Sequence, residues 1–182
     1  DEGTFLGLLT ADVSPDRFVT PGPNSVRLGS TLFTPQGVVY NGGLNSQSSI
    51  PVRMTITNAS NAVVYNDLQT IGSLASLTTV QVNFGQTGNV SGTTSLPVGV
   101  YTLEFRTELA TDLDMTNDTI RTTVTLKDPM SGIYTINPVG SGIRNYVSFT
   151  AALGDLNFLG AVGAVTFQVS GGTYDDTRET FP

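Results

Sequence analysis

The chain has 182 residues, with eight Lys or Arg against fifteen Asp or Glu, a formal charge of −7 and a pI near 4.2. It contains neither cysteine nor histidine, which excludes disulfides, thiolate and imidazole metal sites, and the side chain that most often serves as a general base near neutral pH. The acidic balance argues against nucleic acid as a partner, and no apolar run is long enough for membrane insertion.

The pattern of the first 25 residues predicts a lead-in strand or linker. A short apolar run at residues 5–9 is followed by the turn-rich residues 14–16 and 21–24. Short strands are predicted around Val26 and again over residues 38–40. Because the chain begins Asp-Glu-Gly without a methionine, we expect it to be a mature or excised segment of a longer protein.

The middle of the chain alternates with the period of two that a half-buried strand requires. Val52, Met54 and Ile56 are each followed by a polar or charged residue, and a return strand begins at Val63 after a turn over residues 58–61. Two such runs joined by a short polar turn predict a β-hairpin.

A second alternating pair occupies residues 97–127. Tyr101, Leu103 and Phe105 alternate with polar residues, and the pattern returns over residues 120–127 after an acidic turn. Short strands separated by turn signals at these intervals are typical of a Greek-key sandwich of roughly seven strands. The sequence therefore predicts a mainly β, Ig-like β-sandwich over residues 1–128.

The pattern changes after Asp128, so we predict a second domain over residues 129–182. A strand is predicted over residues 132–136, a helix from about Val147 to Asn157, and a further strand over residues 165–169. The apolar residues placed on one face of the predicted helix are Phe149, Ala152, Leu153 and Leu156. About fifty residues form a marginal domain alone, so we expect this strand-helix-strand unit to be the truncated beginning of a larger fold.

Residues 26–126 resemble the CARDB-type Ig-like domains of large exported bacterial proteins. The residues that carry this resemblance are Ile50 to Asn58, Val63-Val64-Tyr65, the strand opening at Pro97 to Tyr101, and Asn117-Asp118-Thr119 before the last strand. The resemblance implies a structural or adhesive module.

Residues 146–174 resemble the N-terminal cap of a pectin-methylesterase-like right-handed parallel β-helix. The matching segments are Tyr146 to Leu153, Val165 to Val169, and Gly171-Gly172-Thr173-Tyr174. The resemblance implies a helix that covers the first coil of a solenoid, as open solenoids require at their ends. Catalytic carboxylates of that family lie on later coils, so no active-site residue is assigned here.

Together the two segments resemble the multidomain proteins that Bacteroidota export by type IX secretion. The resemblance implies an extracellular or outer-surface location and a non-enzymatic structural or adhesion role. Expected partners are neighbouring domains of the same polypeptide, surface glycans, other surface proteins or the secretion machinery. Two alternatives stay open: an accessory domain joined to the cap of a carbohydrate-active β-helix enzyme whose active site lies beyond residue 182, and a cargo segment of a secretion system.

Four oxygen-bearing residues cluster in the turn before the final strand of the first domain. They are Asp112, Asp114, Asn117 and Asp118. Hard oxygen ligands at close spacing suit Ca²⁺, but the EF-hand pattern is absent because the glycine and final glutamate positions do not match. Asp and Asn also favour turns through local hydrogen bonds, so we interpret the cluster as a solvated turn, keep calcium as the alternative, and assign no other cofactor.

Other candidate sites have weaker motifs. Asp118-Thr119-Ile120 resembles a Bacteroidota O-glycosylation signal with Thr119 as the acceptor, and Asn58, Asn89 and Asn117 begin N-glycosylation sequons. The acidic residues 175, 176 and 179 are interpreted as a solvated loop, with acid/base chemistry as the alternative. Four tyrosines at strand positions predict half-buried packing or, alternatively, a sugar-stacking face: Tyr40, Tyr65, Tyr101 and Tyr146.

Overall fold

The computed structural model describes residues 9–29, 32–85, 96–171 and 174. The chain divides into two compact units, Asp1–Leu126 and Lys127–Pro182. The strands are β1 Val13–Thr20, β2 Ser25–Leu28, β3 Gln36–Asn41, β4 Gln47–Asn58, β5 Val63–Leu74, β6 Thr79–Asn83, β7 Gly99–Thr107, β8 Thr119–Lys127, β9 Met130–Ile136, β10 Asn145–Tyr146 and β11 Ala161–Val169, and the helix is α1 Phe149–Leu159.

The first unit is built from two sheets that share one core. The three-stranded sheet has the order β1-β3-β6, and the five-stranded sheet has the order β2-β8-β7-β4-β5. Side chains from both sheets meet in a single buried cluster, in which Phe105 of β7 packs against Phe18 of β1. Two sheets facing each other over a common apolar layer form a β-sandwich, as the alternating sequence predicts.

Both predicted hairpins are present. β4 pairs with β5 so that Val52 lies opposite Gln69, and β7 pairs with β8 so that Tyr101 lies opposite Val124. The predicted apolar positions face inward: Met54 and Leu103 are fully buried. The period of two therefore identified both the strands and the faces that they bury.

Asn41 at the end of β3 is a buried polar side chain with every hydrogen bond formed. Its Nδ2 donates to Asn45 O and to Leu74 O, each at 3.0 Å, and its Oδ1 accepts from Gly43 N at 3.0 Å. The side chain thereby supplies partners to three backbone groups, two in the loop between β3 and β4 and one at the end of β5. A buried amide is tolerated in a core only when it is satisfied in this way.

The second unit contains a parallel sheet of order β10-β9-β11 and the helix α1. Ser148 caps the helix, because its Oγ accepts from Ala151 N at 3.1 Å. The predicted helix is present but lies two residues later than expected. Its predicted apolar face is partly wrong: Leu153 is 44% exposed, and the buried helical residues are Ala152 and Leu159.

Three aromatic rings pack together on one face of the parallel sheet. The ring centroids of Tyr134, Tyr146 and Phe167 are 6.0 to 6.2 Å apart. Aromatic pairs at this separation add to the stability that burial provides.

Among the described residues, no helix is long and apolar enough to cross a membrane.

Candidate functional site

The acidic turn between β7 and β8 is the part of the first unit where the candidate site residues lie. Asp112 is only 4% exposed, so the interpretation of a solvated turn is wrong for this residue. Its Oδ2 accepts from Val13 N at 2.6 Å, and its Oδ1 accepts from Asp114 N at 2.8 Å. A carboxylate that accepts two backbone N–H groups has a structural role in holding two segments together.

The partner segment is the start of β1, where one residue has no backbone partner within its own sheet. Val13 lies opposite Asn41 in the register of β1 and β3, and Asn41 directs both of its backbone groups toward Leu77 and Thr78. In an antiparallel pair this leaves the N–H and C=O of Val13 pointing away from β3. Asp112 accepts from that N–H, and Thr107 Oγ1 lies 2.8 Å from that carbonyl oxygen.

We call Val13, Thr107, Asp112 and Asp118 the inter-sheet clamp. Thr107 is the last residue of β7 in the five-stranded sheet, whereas Val13 belongs to the three-stranded sheet. Side chains of β7 and of the turn that follows it therefore satisfy the outward backbone groups of an edge strand of the other sheet. Exposed strand edges pair promiscuously unless they are covered, so the clamp also protects this edge.

Asp118 completes the clamp on the other side of Thr107. The hydroxyl oxygen of Thr107 lies 2.8 Å from Asp118 Oδ1 as well as from Val13 O. A threonine hydroxyl carries one proton, so it donates to only one of these oxygens at a time. When Asp118 is protonated, it donates to the Thr107 hydroxyl oxygen while that hydroxyl donates to Val13 O, so both contacts are then hydrogen bonds. Burial raises the pKa of Asp118. The hydrogen bond from Thr107 lowers this pKa, and the neighbouring carboxylates Asp112, Asp114 and Asp12 raise it further.

Asp12 and Asn117 join the same region. Asn117 Nδ2 donates to Asp12 Oδ1 at 2.9 Å, while Asn117 Oδ1 is buried without a hydrogen-bond partner. Asp114 instead accepts from Thr116 N at 3.0 Å at the turn surface, and the hydrogen bonds from Thr116 lower its pKa. The four predicted calcium ligands are thus brought into one region; Asp112, Asp114 and Asp118 already serve internal contacts, whereas the Oδ1 of Asn117 has no hydrogen-bond partner.

We expect calcium to leave the thermal midpoint of the protein unchanged within about 1 °C, since a ligand stabilises a fold only by binding it. The described residues contain no group of three or more acidic side chains arranged to hold a metal ion. The measurement is thermal unfolding with calcium and with a chelator, followed by calorimetric titration. A rise of several degrees that is lost in Asp112→Asn would show that the calcium hypothesis is right.

The raised pKa of Asp118 predicts a pH dependence of stability with a definite sign. A carboxyl whose folded pKa is raised binds its proton more tightly in the folded state, so its contribution is full below the unfolded pKa, about 3.9, and is lost as pH rises through the folded pKa. We therefore expect the stability of the wild type relative to Asp118→Asn to fall as pH rises through this range. Urea unfolding of both proteins at a series of pH values measures the difference. A difference that stays flat, or that grows with pH, would contradict the assignment.

The outer face of the five-stranded sheet carries ion pairs that cross the strands. Arg53 of β4 donates through Nε and Nη2 to the two carboxylate oxygens of Glu108, at 2.7 and 3.1 Å. Arg106 adds a second bond to Glu108, and these two arginines lower the pKa of Glu108. Arg121 pairs with Glu104 on the same face. Such half-exposed pairs fix the outer face but contribute at most about 1 kcal/mol each to stability.

The structure places the other sequence candidates as follows. Thr119 begins β8 opposite Arg106, and Asn58 folds its Oδ1 back onto its own turn by accepting from Ser60 N and Ala62 N. The sugar-stacking alternative is wrong for Tyr65 and Tyr101, which are 1% and 4% exposed within the core. The sequon at residue 89 and the acidic residues 175, 176 and 179 lie outside the described residues.

A second polar cluster lies within the second unit and has no counterpart among the sequence predictions. Asp155 of α1 accepts from Tyr146 Oη at 2.9 Å and pairs with Lys127, the only lysine of the chain. The Lys127 ammonium also lies 5.7 Å from the centroid of the Tyr146 ring. Burial and the hydrogen bond to Asp155 raise the pKa of Tyr146. This arrangement attaches the helix to β10 and offers no unpaired acid or base.

No protein-family model matches the chain, and a comparison with curated proteins gives no significant match. Among solved structures, the chain is similar to the CARDB domain of a Pyrococcus furiosus protein, solved in complex with di-metal ions and also in solution. The identities are 17% and 16%, the TM-scores 0.45 and 0.47, and the matches cover 66% and 65% of this chain and 96% and 97% of those.

A further match is a cycloisomaltooligosaccharide glucanotransferase of Paenibacillus sp., at 12% identity and a TM-score of 0.48. It covers 70% of this chain and 16% of that one. CARDB domains are thus among the structures that this chain resembles, as its sequence implies. At these identities and TM-scores the likenesses say nothing about activity.

Proposed function

We propose that this chain is a non-enzymatic structural and adhesion module of a large secreted or cell-surface bacterial protein. The observation that carries the proposal is the position of the two ends of the first unit. The polypeptide enters the sandwich at one end of its strands and leaves at the other. A module with this geometry extends a chain of domains instead of folding it back.

The contacts of β1 and β8 define the positions of these two ends along β7. Val13, at the start of β1, lies against Thr107, the last residue of β7. Leu126, at the end of β8, lies opposite Gly99, the first residue of β7. The eight residue steps between Gly99 and Thr107 correspond to about 26 Å of strand. Entry and exit are therefore separated by nearly the whole length of the sandwich.

The inter-sheet clamp supports the same role, since it lies where the chain enters. Pulling on the segment before β1 loads first the backbone bonds that residues 9–12 accept from residues 42–45 and 113, and then the bonds from Val13 to Asp112 and Thr107. The expected partners are the domains on either side in the same polypeptide. Surface glycans, other surface proteins or the secretion machinery would bind the outer faces.

The geometry is tested with spin labels, because the chain has no natural cysteine. Cysteines at Thr10 and Thr125 are expected to give a long distance, and a matched pair at Thr10 and Thr119 a shorter one, since β8 runs about 20 Å between the two positions. Equal distances for the two pairs would reject an end-to-end module. The same Thr10 and Thr125 handles then serve for single-molecule pulling, where Asp112→Ala is expected to lower the unfolding force.

The parallel sheet of the second unit supports one second candidate. β9 and β11 are parallel neighbours joined through α1, which is the kind of connection that begins a parallel β structure. On this alternative, the unit is the cap of a β-helix in a carbohydrate-active enzyme. Assays of pectin and related polysaccharides with the parent protein distinguish the two: turnover by the parent favours the enzyme, and surface binding without turnover favours the adhesion module.

A further inference from the structure

The parallel sheet of the second unit ends at β11, whose far side has no strand beside it among the described residues. β11 is nine residues long and carries no charged side chain and no proline. Natural edge strands are usually blocked by charges, prolines or bulges at the positions that face a new partner. β11 has a register irregularity only between Ala161 and Val165, so residues 165–169 form a regular edge.

The hydrogen bonds to β9 show which backbone groups of β11 point outward. Ser170 N donates to Ile136 O at 3.0 Å, so Ser170 faces β9. Backbone groups alternate in direction along a strand, and Gln168 and Thr166 therefore face β9 as well. Val165, Phe167 and Val169 consequently present their N–H and C=O groups to the open side.

These three residues are arranged symmetrically about Phe167. The segment reads Val165-Thr166-Phe167-Gln168-Val169, which is apolar, polar, aromatic, polar and apolar in both directions. An antiparallel copy related by a two-fold axis through Phe167 would pair Phe167 with Phe167 and Val165 with Val169. All three pairs are hydrogen-bonded pairs, giving six backbone hydrogen bonds. A two-fold axis of this kind makes an isologous interface, in which one surface is its own complement.

Side chains support the same pairing. Phe167 is half-buried in the ring cluster with Tyr134 and Tyr146, so its copy would extend that cluster across the axis. Cross-strand pairs between aromatic or β-branched residues are the favourable ones in sheets. The described part of this unit carries one pair of cations, Lys127 and Arg144, and one pair of anions, Asp128 and Asp155, so no net charge opposes the approach of a second copy.

We infer that β11 is a homodimerisation edge, at which a second copy of this chain adds antiparallel about Phe167. The inference is independent of the proposed spacer role, which rests on the first unit, and it excludes the β-helix alternative, in which a further coil would cover β11. Sedimentation velocity of the full chain over a series of concentrations is expected to show a monomer–dimer equilibrium. A chain that remains monomeric at every concentration would overturn the inference. In that case β11 would be free to pair with an extended segment of an unrelated protein.

Two variants identify the edge. Val169→Pro removes an outward N–H that β9 does not use, and such a position on an edge strand tolerates proline. The two-fold axis places the substitution at both ends of the interface, so two hydrogen bonds are lost. We therefore expect the dissociation constant of the dimer to rise at least about tenfold, with an unchanged thermal midpoint for the monomer. Undiminished dimerisation of Val169→Pro would also overturn the inference.

Val169→Lys is compared with Val100→Lys, because these valines are 50% and 51% exposed and lie in different units. Only the first change is expected to weaken the dimer, since a lysine on the edge opposes strand pairing. Equal weakening by both would indicate a general effect of charge and would count against β11 as the interface.

Discussion

Replacing Asp112 by alanine is expected to destabilise the first unit by about 3 kcal/mol, because a buried carboxylate that accepts from one buried and one part-buried backbone N–H is lost. Val13 N and Asp114 N both donate to this carboxylate, and Val13 is fully buried. The N–H of Val13 has no alternative acceptor in its own sheet, since it points away from β3. An unsatisfied buried donor costs more than the bond itself contributes.

Urea unfolding followed by tyrosine fluorescence measures the effect, and Asp114→Ala is the matched control in the same turn. Asp114 accepts from Thr116 at the surface, so its replacement is expected to cost much less stability than that of Asp112. Asp112→Asn should lie between the two, because an amide keeps one acceptor oxygen and loses the charge. If Asp112→Ala and Asp114→Ala prove equally mild, the inter-sheet clamp contributes no stability.

The strands and the faces that they bury could be predicted from the sequence because alternation is a local signal. Met54 and Leu103 face inward since a strand directs alternate side chains to opposite sides, whatever the rest of the chain does. The hairpin of β4 and β5 follows from a short turn between two such runs. Each of these inferences needs only the neighbouring residues.

The clamp could not be predicted, since its partners are far apart in the chain and one of them is backbone. Val13 and Asp112 are separated by 99 positions, and nothing in the side chain of Val13 indicates that its N–H lacks a strand partner. The sequence pattern located the acidic residues correctly but assigned them to solvent or calcium. Their actual role depends on how the two sheets are placed, which alternation does not determine.

The helix shows a second limit of pattern reasoning. Leu153 and Ala152 are neighbours, and only one of them can face the sheet fully when the buried strip is narrow. The structure buries Ala152 and Leu159 and leaves Leu153 exposed, and the hydrogen bond between Asp155 and Tyr146 forms in this same orientation of α1. The spacing of apolar residues does not determine which of two neighbouring residues is buried.

Gly37→Ala is expected to destabilise the first unit by about 2 kcal/mol through overpacking of the core. Gly37 lies on β3, and a Cβ at this position would be 2.3 Å from Cε1 of Phe105. Phe105 cannot move aside, because it is fully buried and its ring centroid lies 6.2 Å from that of Phe18 and 5.7 Å from that of Phe84. The Phe105 ring therefore occupies the space that a side chain on Gly37 would need.

A double-mutant cycle separates this clash from any effect of alanine on the backbone. Phe105→Leu removes ring atoms from the contact, so Gly37→Ala should cost at least about 1 kcal/mol less in that background than alone. Gly72→Ala in β5 is the control, since a Cβ there has open space, and it is expected to be neutral or stabilising by up to about 1 kcal/mol. Additive costs for Gly37 and Phe105 would mean that the two residues do not share this space in the folded protein.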